Sequence, residues 1–196
     1  GNWALLNQAN SYTGNTLVGL AAGTDDGVLI YSGTSLPALS GLELNSGQIA
    51  TSGTFTRDLV ATLTPGNSNE VSMAGGGTNN NRGFAAAEGD LTVTLSGGAP
   101  LTWGAGGFIP DGQALRLNSS QLSNGEVNFT NDIDLGATKQ LIIVEDNGHT
   151  AYDFATLSGN LSGTAGLRGD GGGMLRLTGD NSYSGPTEID NIELHI

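Results

Sequence analysis

The sequence predicts an all-β protein, namely a single-stranded, right-handed parallel β-helix, a solenoid of short stacked strands. Glycine makes up 33 of the 196 residues, against an average of about 7%, so the chain can form many tight corners. Apolar residues do not keep helical spacing over any window of about 11 residues. Short runs that alternate apolar and polar residues recur instead, bounded by Gly, Asn, Asp or Pro. A β-sandwich is the alternative fold, because its strands show a similar alternation.

Eight alternating runs predict short strands along the chain. They are 28–31 (VLIY), 42–44 (LEL), 91–95 (LTVTL), 115–117 (LRL), 127–129 (VNF), 133–135 (IDL), 141–144 (LIIV) and 175–178 (LRLT). In LTVTL the alternation predicts that Leu and Val face a core while Thr faces solvent. Dipeptides such as Asp26-Gly27 and Asn147-Gly148 tolerate positive φ and predict sharp corners between strands.

Strands and corners this short favour turns of about 20–25 residues. The chain would then make about eight or nine turns, in a rod roughly 40 Å long at about 4.8 Å per turn. No linker divides the chain, so residues 1–196 are predicted to form one β-helical segment of a larger or processed protein. The Gly- and Asn-rich stretch 75–83 is predicted to be a loop.

The net charge of −13, from 19 acidic and 6 basic residues, restricts the classes of partner. Binding to nucleic acid is disfavoured, because phosphate contacts need Lys and Arg, and docking on an anionic membrane is disfavoured for the same reason. The chain has no apolar run long enough for a membrane span. It has no Cys, which excludes disulfides, zinc–thiolate sites and a Cys nucleophile. Calcium binding by some of the carboxylates stays open, although the nonapeptide spacing of calcium β-rolls is absent.

One polar-aromatic motif occurs near both ends of the chain, as NSYTGNT at 10–16 and NSYSGPT at 181–187. We predict that both copies form equivalent corners, in which Asn bonds to a neighbouring backbone group, Tyr covers the corner and Gly turns the chain. The residues assigned to this structural motif are Asn10, Tyr12, Gly14 and Thr16 in the first copy, and Gly179, Asn181, Tyr183, Gly185 and Thr187 in the second.

The stretch 171–190, GGGMLRLTGDNSYSGPTEID, resembles the passenger-associated, or autotransporter-associated, β-strand repeat. The repeat pattern reads roughly G-x-L-x-L-T-G-x-N-T-Y-T-G-x-T-x-I/V; residues 173–189 match it, and residues 10–18 form a weaker copy. The sequence departs from the pattern at 6–8, which reads LNQ instead of LTG, and at 191–193, where a Gly-rich corner is usual. The resemblance implies a bacterial protein that is located at the cell surface or outside the cell.

Several charged residues are candidates for catalytic groups. Asp132 and Asp134 are spaced i, i+2 and share one strand face, as the paired carboxylates of a polysaccharide-cleaving β-helix enzyme would. Outward acids on either side of an inward apolar residue are the favoured interpretation. The basic residues Lys139, Arg116 and Arg168 are isolated in the sequence, so no catalytic cluster is predicted.

His149 lies near Glu145, Asp146 and Asp153, a combination that can bind a metal or act in acid–base chemistry. The Asn-Gly turn beside it favours an exposed loop histidine instead. His195 alternates with apolar residues near the end of the chain and is predicted to face solvent.

Aromatic residues are few, and they suit either a sugar platform or a core. The four considered are Trp3, Trp103, Phe108 and Tyr152, and packing in the core or over an end is favoured. Asn-x-Ser/Thr sequences at Asn118, Asn128 and Asn160 are interpreted as chance in a bacterial protein.

The function predicted from the sequence is a non-enzymatic structural rod or stalk in a secreted or cell-surface bacterial protein. No catalytic residue and no cofactor is assigned. The predicted partners are further copies of the chain, stacked head to tail into a fibre, and host or matrix glycans. The sequence predicts neither binding to nucleic acid nor insertion into a membrane. The alternatives are a carbohydrate-binding adhesin segment and a polysaccharide-degrading β-helix enzyme.

Overall fold

The protein is all-β and its strands are paired in parallel. The computed structural model describes residues 2–5, 10–19, 27–32, 35–37, 39–75 and 81–196, with side chains described for all of these except 2–5. Within them, every pairing between two strands is parallel. The helical content of this part of the chain is one short 3-10 turn at Ser96–Gly98. The prediction of an all-β chain with parallel strands is therefore confirmed.

The strands are numbered in chain order. They are β1 (Asn2–Leu5), β2 (Thr16–Val18), β3 (Gly27–Tyr31), β4 (Leu42–Leu44), β5 (Gly47–Leu59), β6 (Glu70–Ser72), β7 (Asn81–Leu95), β8 (Leu101–Thr102), β9 (Ala114–Leu117), β10 (Val127–Phe129), β11 (Ile133–Asp134), β12 (Gln140–Val144), β13 (Ala155–Leu157), β14 (Leu161–Ser162), β15 (Leu167–Asp170), β16 (Met174–Leu177), β17 (Thr187–Ile189) and β18 (Glu193–His195).

The strands stack in three ladders, with a further short stack near the start of the chain. Ladder A contains β1, β3, the first half of β5, the first half of β7, β9, β12, β15 and β17. Ladder B contains the second halves of β5 and β7, then β10, β13, β16 and β18. Ladder C contains β8, β11 and β14. Near the start of the chain β2, β4 and β6 form a separate stack, and β6 also pairs with the end of β5. From β7 to β14 the chain visits ladders A, B and C in that order three times.

The spacing along ladder A is less regular than the sequence predicts. Register partners lie 20 residues apart between Val28 and Gln48, 35 apart between Gln48 and Gly83, and 27 apart between Arg116 and Ile143. The prediction of 20–25 residues per turn is therefore wrong for the middle of the chain. Insertions such as the irregular segment 60–69 lengthen a turn without shifting the ladder, because loop closure costs little extra free energy per added residue.

Six of the eight predicted runs lie wholly within strands, while 133–135 and 175–178 each extend one residue beyond their strand. No run predicts β5, and β7 is much longer than the run 91–95 that predicts it. β5 and β7 each pass from ladder A to ladder B through a bend, with a register shift between Thr51 and Gly53. Positive φ angles mark the bends, at Gly53 (83°) in β5 and at Glu88 (65°) and Gly89 (132°) in β7. The loop predicted at 75–83 is wrong for 81–83, which begin β7, while 76–80 lie outside the described residues.

Inward side chains of the three ladders form one apolar core. In β7, Leu91, Val93 and Leu95 are fully buried while the threonines between them are half-exposed, as predicted. Aromatic rings connect successive turns: the ring centroids of Phe84 lie 5.2 Å from Phe55 and 6.1 Å from Phe129. Tilted ring pairs at these distances add stabilisation beyond the buried area.

Buried asparagines satisfy backbone groups where ladders meet at corners. Asn131 accepts a hydrogen bond from Leu95 N–H (2.8 Å) and donates to the carbonyls of Leu95 (2.7 Å) and Ala99 (2.8 Å). Asn118 adopts a positive φ of 62° and accepts from Ala86 N–H at 3.1 Å. A corner that leaves the ladder exposes backbone groups, and these amides replace the lost ladder partners.

Candidate interaction surface

The two copies of the motif share one local contact. Tyr12 Oη lies 2.7 Å from Thr16 Oγ1, and Tyr183 Oη lies 2.6 Å from Thr187 Oγ1. Because the hydroxyls belong to residues i and i+4, this hydrogen bond closes the corner in front of the following strand. Asn181 Oδ1 also accepts from Leu161 N–H at 2.9 Å, as predicted for a corner asparagine.

The two copies nevertheless occupy different corners. Thr16 begins β2 and pairs with Leu42 in the separate stack of β2, β4 and β6, whereas Thr187 begins β17 and pairs with Leu167 in ladder A. Asn10 donates to the carbonyl of Ser35 in the following turn (2.6 Å), whereas Asn181 accepts from Leu161 N–H in the preceding one. The prediction of equivalent corners is therefore wrong, since a short local motif fixes its own turn and not its ladder.

The motif glycines also differ in what surrounds them. A Cβ at Gly185 would lie 2.3 Å from Gly166 N, and a Cβ at Gly179 would lie 2.3 Å from Gly159 O. A Cβ at Gly14 would meet no atom within 4 Å. The second copy therefore needs glycine for close stacking on the preceding turn, whereas the first does not.

The candidate catalytic carboxylates stabilise the backbone. Asp132 Oδ1 accepts from Asn160 N–H at 2.7 Å, and Asp134 Oδ1 accepts from Gly136 N–H at 2.9 Å. The carboxylate of Asp134 thus stabilises the corner that follows its own strand, and the carboxylate of Asp132 stabilises a corner of the next turn. Their hydrogen bonds give each a structural role that the sequence leaves unresolved.

The candidate metal or acid–base residues do not converge. Glu145 pairs with Arg116 and accepts from Ser120 N–H, while Asp153 accepts from Asn147 N–H. Across the described ranges, no group of three or more His, Asp or Glu side chains is arranged as a metal-binding set.

Two other side chains of the sequence analysis face solvent with local partners. His195 Nε2 lies 2.6 Å from Glu193 Oε1, and half of its side chain is exposed. Lys139 Nζ pairs with Glu188 at 2.7 Å. His195 is thus solvent-facing, as predicted.

The aromatic residues do not form a sugar platform in the described part of the chain. Trp103 and Phe108 are 3% and 1% exposed and pack edge to face at 5.5 Å, which confirms core packing. Tyr152 is 73% exposed, and the side chain of Trp3 lies outside the described residues. Asn118 is fully buried, so it is no accessible glycosylation site.

An Arg-Gly-Asp tripeptide at 168–170 lies within β15, between β12 and β17, rather than on a protruding loop. Arg168 and Asp170 point to one side of the strand, and the guanidinium binds the carboxylates of Asp170 (3.3 Å) and Asp190 (2.5 Å). Both charged groups are thus engaged in ion pairs within the stack, which favours a structural role for the tripeptide.

Arg82 is fully buried and forms hydrogen bonds to the backbone of three other residues. Its Nη1 donates to the carbonyl of Met73 (2.7 Å), and Nη2 donates to those of Asn45 (2.5 Å) and Gly75 (2.6 Å). Burial lowers the pKa of Arg82 to about 10. Carbonyl dipoles hold this charge in place of a carboxylate, so Arg82 is a structural residue.

The outer side of ladder B carries two columns of mainly hydroxyl side chains, which we call the ladder B face. Its members, in register from turn to turn, are Thr54, Thr92, Asn128, Thr156, Arg176 and His195 in one column and Thr56, Thr94, Thr130, Ser158 and Thr178 in the other. The hydroxyls are linked along the ladder, with Thr94 to Thr130 at 2.7 Å and Ser158 to Asn128 at 2.7 Å. These two columns contain no carboxylate, although the chain carries 19.

The amino-acid sequence alone gives little indication of the ladder B face. Its signal is a weak T-x-T-like alternation in five runs, TFT, TVT, NFT, TLS and RLT. Only the strand register shows that these runs stack on one another.

The ladders define a protein of stacked parallel strands with an acidic surface. Over 192 residues the chain is 31% identical to part of the adhesin BmaC autotransporter of Brucella suis biovar 1 (strain 1330). The alignment covers 96% of this chain and 5% of that relative, so the chain corresponds in length to a small part of it. No protein-family model and no solved structure matches the chain, so the resemblance to the β-strand repeat stays a prediction. The described residues include no helix with the length and apolarity of a membrane span.

Proposed function

We propose that the chain is a segment of a closed, right-handed parallel β-helix that serves as a non-enzymatic rod in a bacterial surface or secreted adhesin. The observation that carries the proposal is the stack of eight parallel strands in ladder A. At about 4.8 Å per strand this stack is roughly 34 Å tall. The similarity to part of an autotransporter adhesin along nearly the whole chain supports the surface location and the adhesin class.

Two features support closure of the coil. The chain returns to ladder A after each visit to ladders B and C, and inward residues from all three ladders share one core cluster. Crossover connections between parallel strands of a sheet are right-handed in about 98% of cases. A crystal structure of the chain tests this proposal. A core open on one side, as between two sandwich sheets, would contradict it.

A structural role is also supported by how the acids are used. Asp132, Asp134 and Asp153 each accept a backbone N–H at a corner. A cleaving enzyme needs two carboxylates aimed at one substrate position, and these three instead hold backbone corners. The proposed rod needs no cofactor.

Adhesin-type binding is tested with the chain coupled to fluorescent beads. We expect the beads to bind host-cell monolayers or extracellular matrix more than beads coated with an unrelated acidic protein of equal charge. Equal binding of both bead types would contradict an adhesive role for this segment. The proposal of a β-helical rod does not depend on this result, because the crystal structure tests it separately.

End-to-end stacking of copies is a second candidate property, favoured by the edges of β17 and β18. Each of these strands pairs with one neighbour, and Ile189 in β17 is 60% exposed. Such an edge can accept a further parallel strand, whether from a following turn of the same polypeptide or from a second copy. Light scattering and negative-stain electron microscopy would show filaments or end-to-end rods; a monodisperse monomer over a wide concentration range would exclude them.

A further inference from the structure

Arg176 on the ladder B face differs from the other basic residues. Its guanidinium carbon Cζ lies over the ring of Phe154, 3.8 Å from the ring centroid. Arg116, Lys139 and Arg168 pair with carboxylates, and Arg57 and Arg82 donate to backbone carbonyls. Within the described part of the chain, Arg176 makes no hydrogen bond and no ion pair, so its donors face solvent.

Phe154 holds this guanidinium in one orientation. Arg176 is in register with Thr156, two residues from Phe154 along β13, so the ring and the guanidinium meet diagonally across adjacent strands. Stacking on a ring covers one face of a guanidinium and leaves its N–H edges free. A guanidinium held in one orientation suits bidentate binding of a carboxylate, because the arginine side chain loses little further conformational entropy when the carboxylate binds.

The surroundings of Arg176 favour sugar hydroxyls beside that carboxylate. Thr156 and His195 are the register partners of Arg176 on the two neighbouring strands, and Thr178 lies two residues along its own strand. The columns of hydroxyl and amide groups continue along ladder B for about 20 Å at about 4.8 Å per strand. Hydroxyls and amides both donate and accept hydrogen bonds, as the hydroxyls of a glycan require.

We propose that the ladder B face binds a glycan that carries one carboxylate, with the carboxylate on Arg176 and the sugar hydroxyls on the Thr, Ser and Asn columns. The inference rests on the proposed adhesin-type function and names its ligand class. A polyanionic glycan is disfavoured, because the chain has a net charge of −13. In addition, Glu126, bonded to Thr156, and Glu193, bonded to His195, lie beside the site. A single carboxylate gains the Arg176 contact with less repulsion.

The test is a titration of the isotope-labelled chain with 3′-sialyllactose and with lactose, followed by NMR chemical shifts. The two probes share the lactose unit and differ in the sugar that carries the carboxylate. We expect 3′-sialyllactose to shift signals of ladder B residues and to bind at least about tenfold more tightly than lactose, as charge-assisted hydrogen bonds imply. Equal affinity for the two probes, or shifts confined to other ladders, would overturn the proposal.

Matched variants separate the site from general charge effects. Arg176→Gln should weaken 3′-sialyllactose binding by at least about tenfold. Arg168→Gln removes the same charge from ladder A and should leave the affinity within about twofold of the wild type, since a distant exposed charge is largely screened. Equal losses in both variants would contradict a site at Arg176.

Two further variants test the supporting groups without disturbing the strands. Thr178→Val keeps the branched shape that suits a strand and removes one hydroxyl, so it should weaken binding less than Arg176→Gln. Phe154→Leu removes the ring that orients the guanidinium of Arg176, so it should raise the dissociation constant for 3′-sialyllactose. The circular dichroism spectrum should stay unchanged, which would show that the fold is intact. If beads coated with the chain bind cells while 3′-sialyllactose does not bind, the ligand class is wrong and the adhesin proposal stands.

Discussion

At the scale of single residues, buried polar side chains decide the stability of the corners. Asn131 is 1% exposed and makes three hydrogen bonds to the backbone of Leu95 and Ala99. Asn131→Ala leaves these groups buried without partners, at a cost of about 1–3 kcal/mol each where water cannot enter. We therefore expect a loss of about 2–4 kcal/mol in the free energy of unfolding, measured by urea denaturation.

The control for Asn131→Ala is Asn160→Ala. Asn160 is an exposed corner residue whose Oδ1 accepts from Asp180 N–H at 2.7 Å. Water can replace this partner, so the expected loss is below about 1 kcal/mol. Similar losses in the two variants would mean that burial is not what makes Asn131 important.

Glu70 couples stability to pH. Its carboxylate accepts from Thr64 N–H (2.5 Å) and Asn67 Nδ2 (2.8 Å), and the Thr64 hydrogen bond is the main cause that lowers the pKa of Glu70. The unfolded chain takes up this proton near the ordinary pKa of 4.5. The stabilisation is therefore present above that pH and is lost as pH falls through the lower folded pKa.

The measurement for Glu70 is the urea midpoint from neutral pH down to about pH 3. We expect the wild type to lose stability over this range and Glu70→Gln to lose less, because its side chain cannot titrate. Glu43→Gln removes the same charge from β4 and serves as the control for the loss of one negative charge. A Glu70→Gln curve parallel to the wild type would refute the assignment.

At the scale of structural elements, close stacking of corners determines where glycine is needed. An added Cβ at Gly185 would lie 2.3 Å from Gly166 N and 2.4 Å from Ala165 C, whereas one at Gly14 would meet nothing within 4 Å. Neither glycine adopts a positive φ. We expect Gly185→Ala to destabilise the chain by about 1–3 kcal/mol through overpacking.

Gly14→Ala is the matched control, because it occupies the same motif position in the other copy. It should leave the thermal midpoint unchanged or slightly raised, since alanine lowers the entropy of the unfolded chain. Equal destabilisation by the two substitutions would mean that the motif itself, rather than its neighbouring turn, demands glycine.

The sequence predicted strands best where only one side of the strand is buried. Residues 127–129 (VNF) match β10 in full, because Val and Phe face the core and Asn faces out. The first half of β7 was missed because residues 82–87 are buried on both sides and show no alternation. Phe154 and Arg176 were not connected either, because their contact depends on the register of β13 with β16, which the variable turn lengths conceal.

At the scale of the whole molecule, stability should depend on position along the stack. In a solenoid each turn contacts only its neighbours, so stability is a sum of local and nearest-neighbour contributions. β10 lies between β7 and β13 in ladder B and has a buried core side, whereas β18 pairs with β16 alone and is largely exposed. The two strands share one ladder and one length, which makes them a matched pair.

Hydrogen exchange followed by mass spectrometry can compare them in one experiment on the unmodified chain. We expect the amides of β18 to exchange by local opening, at rates far above those of β10, which should need opening of several turns. β17 and β12 should show the same contrast in ladder A, because β17 pairs with β15 alone while β12 lies between β9 and β15. Equal protection of β10 and β18 would mean that the chain opens only as one cooperative unit, which contradicts a solenoid stabilised by nearest-neighbour contacts. A gradient of protection towards β18 would also indicate the surface that a further turn or a second copy stabilises, because pairing with β18 would slow exchange there first.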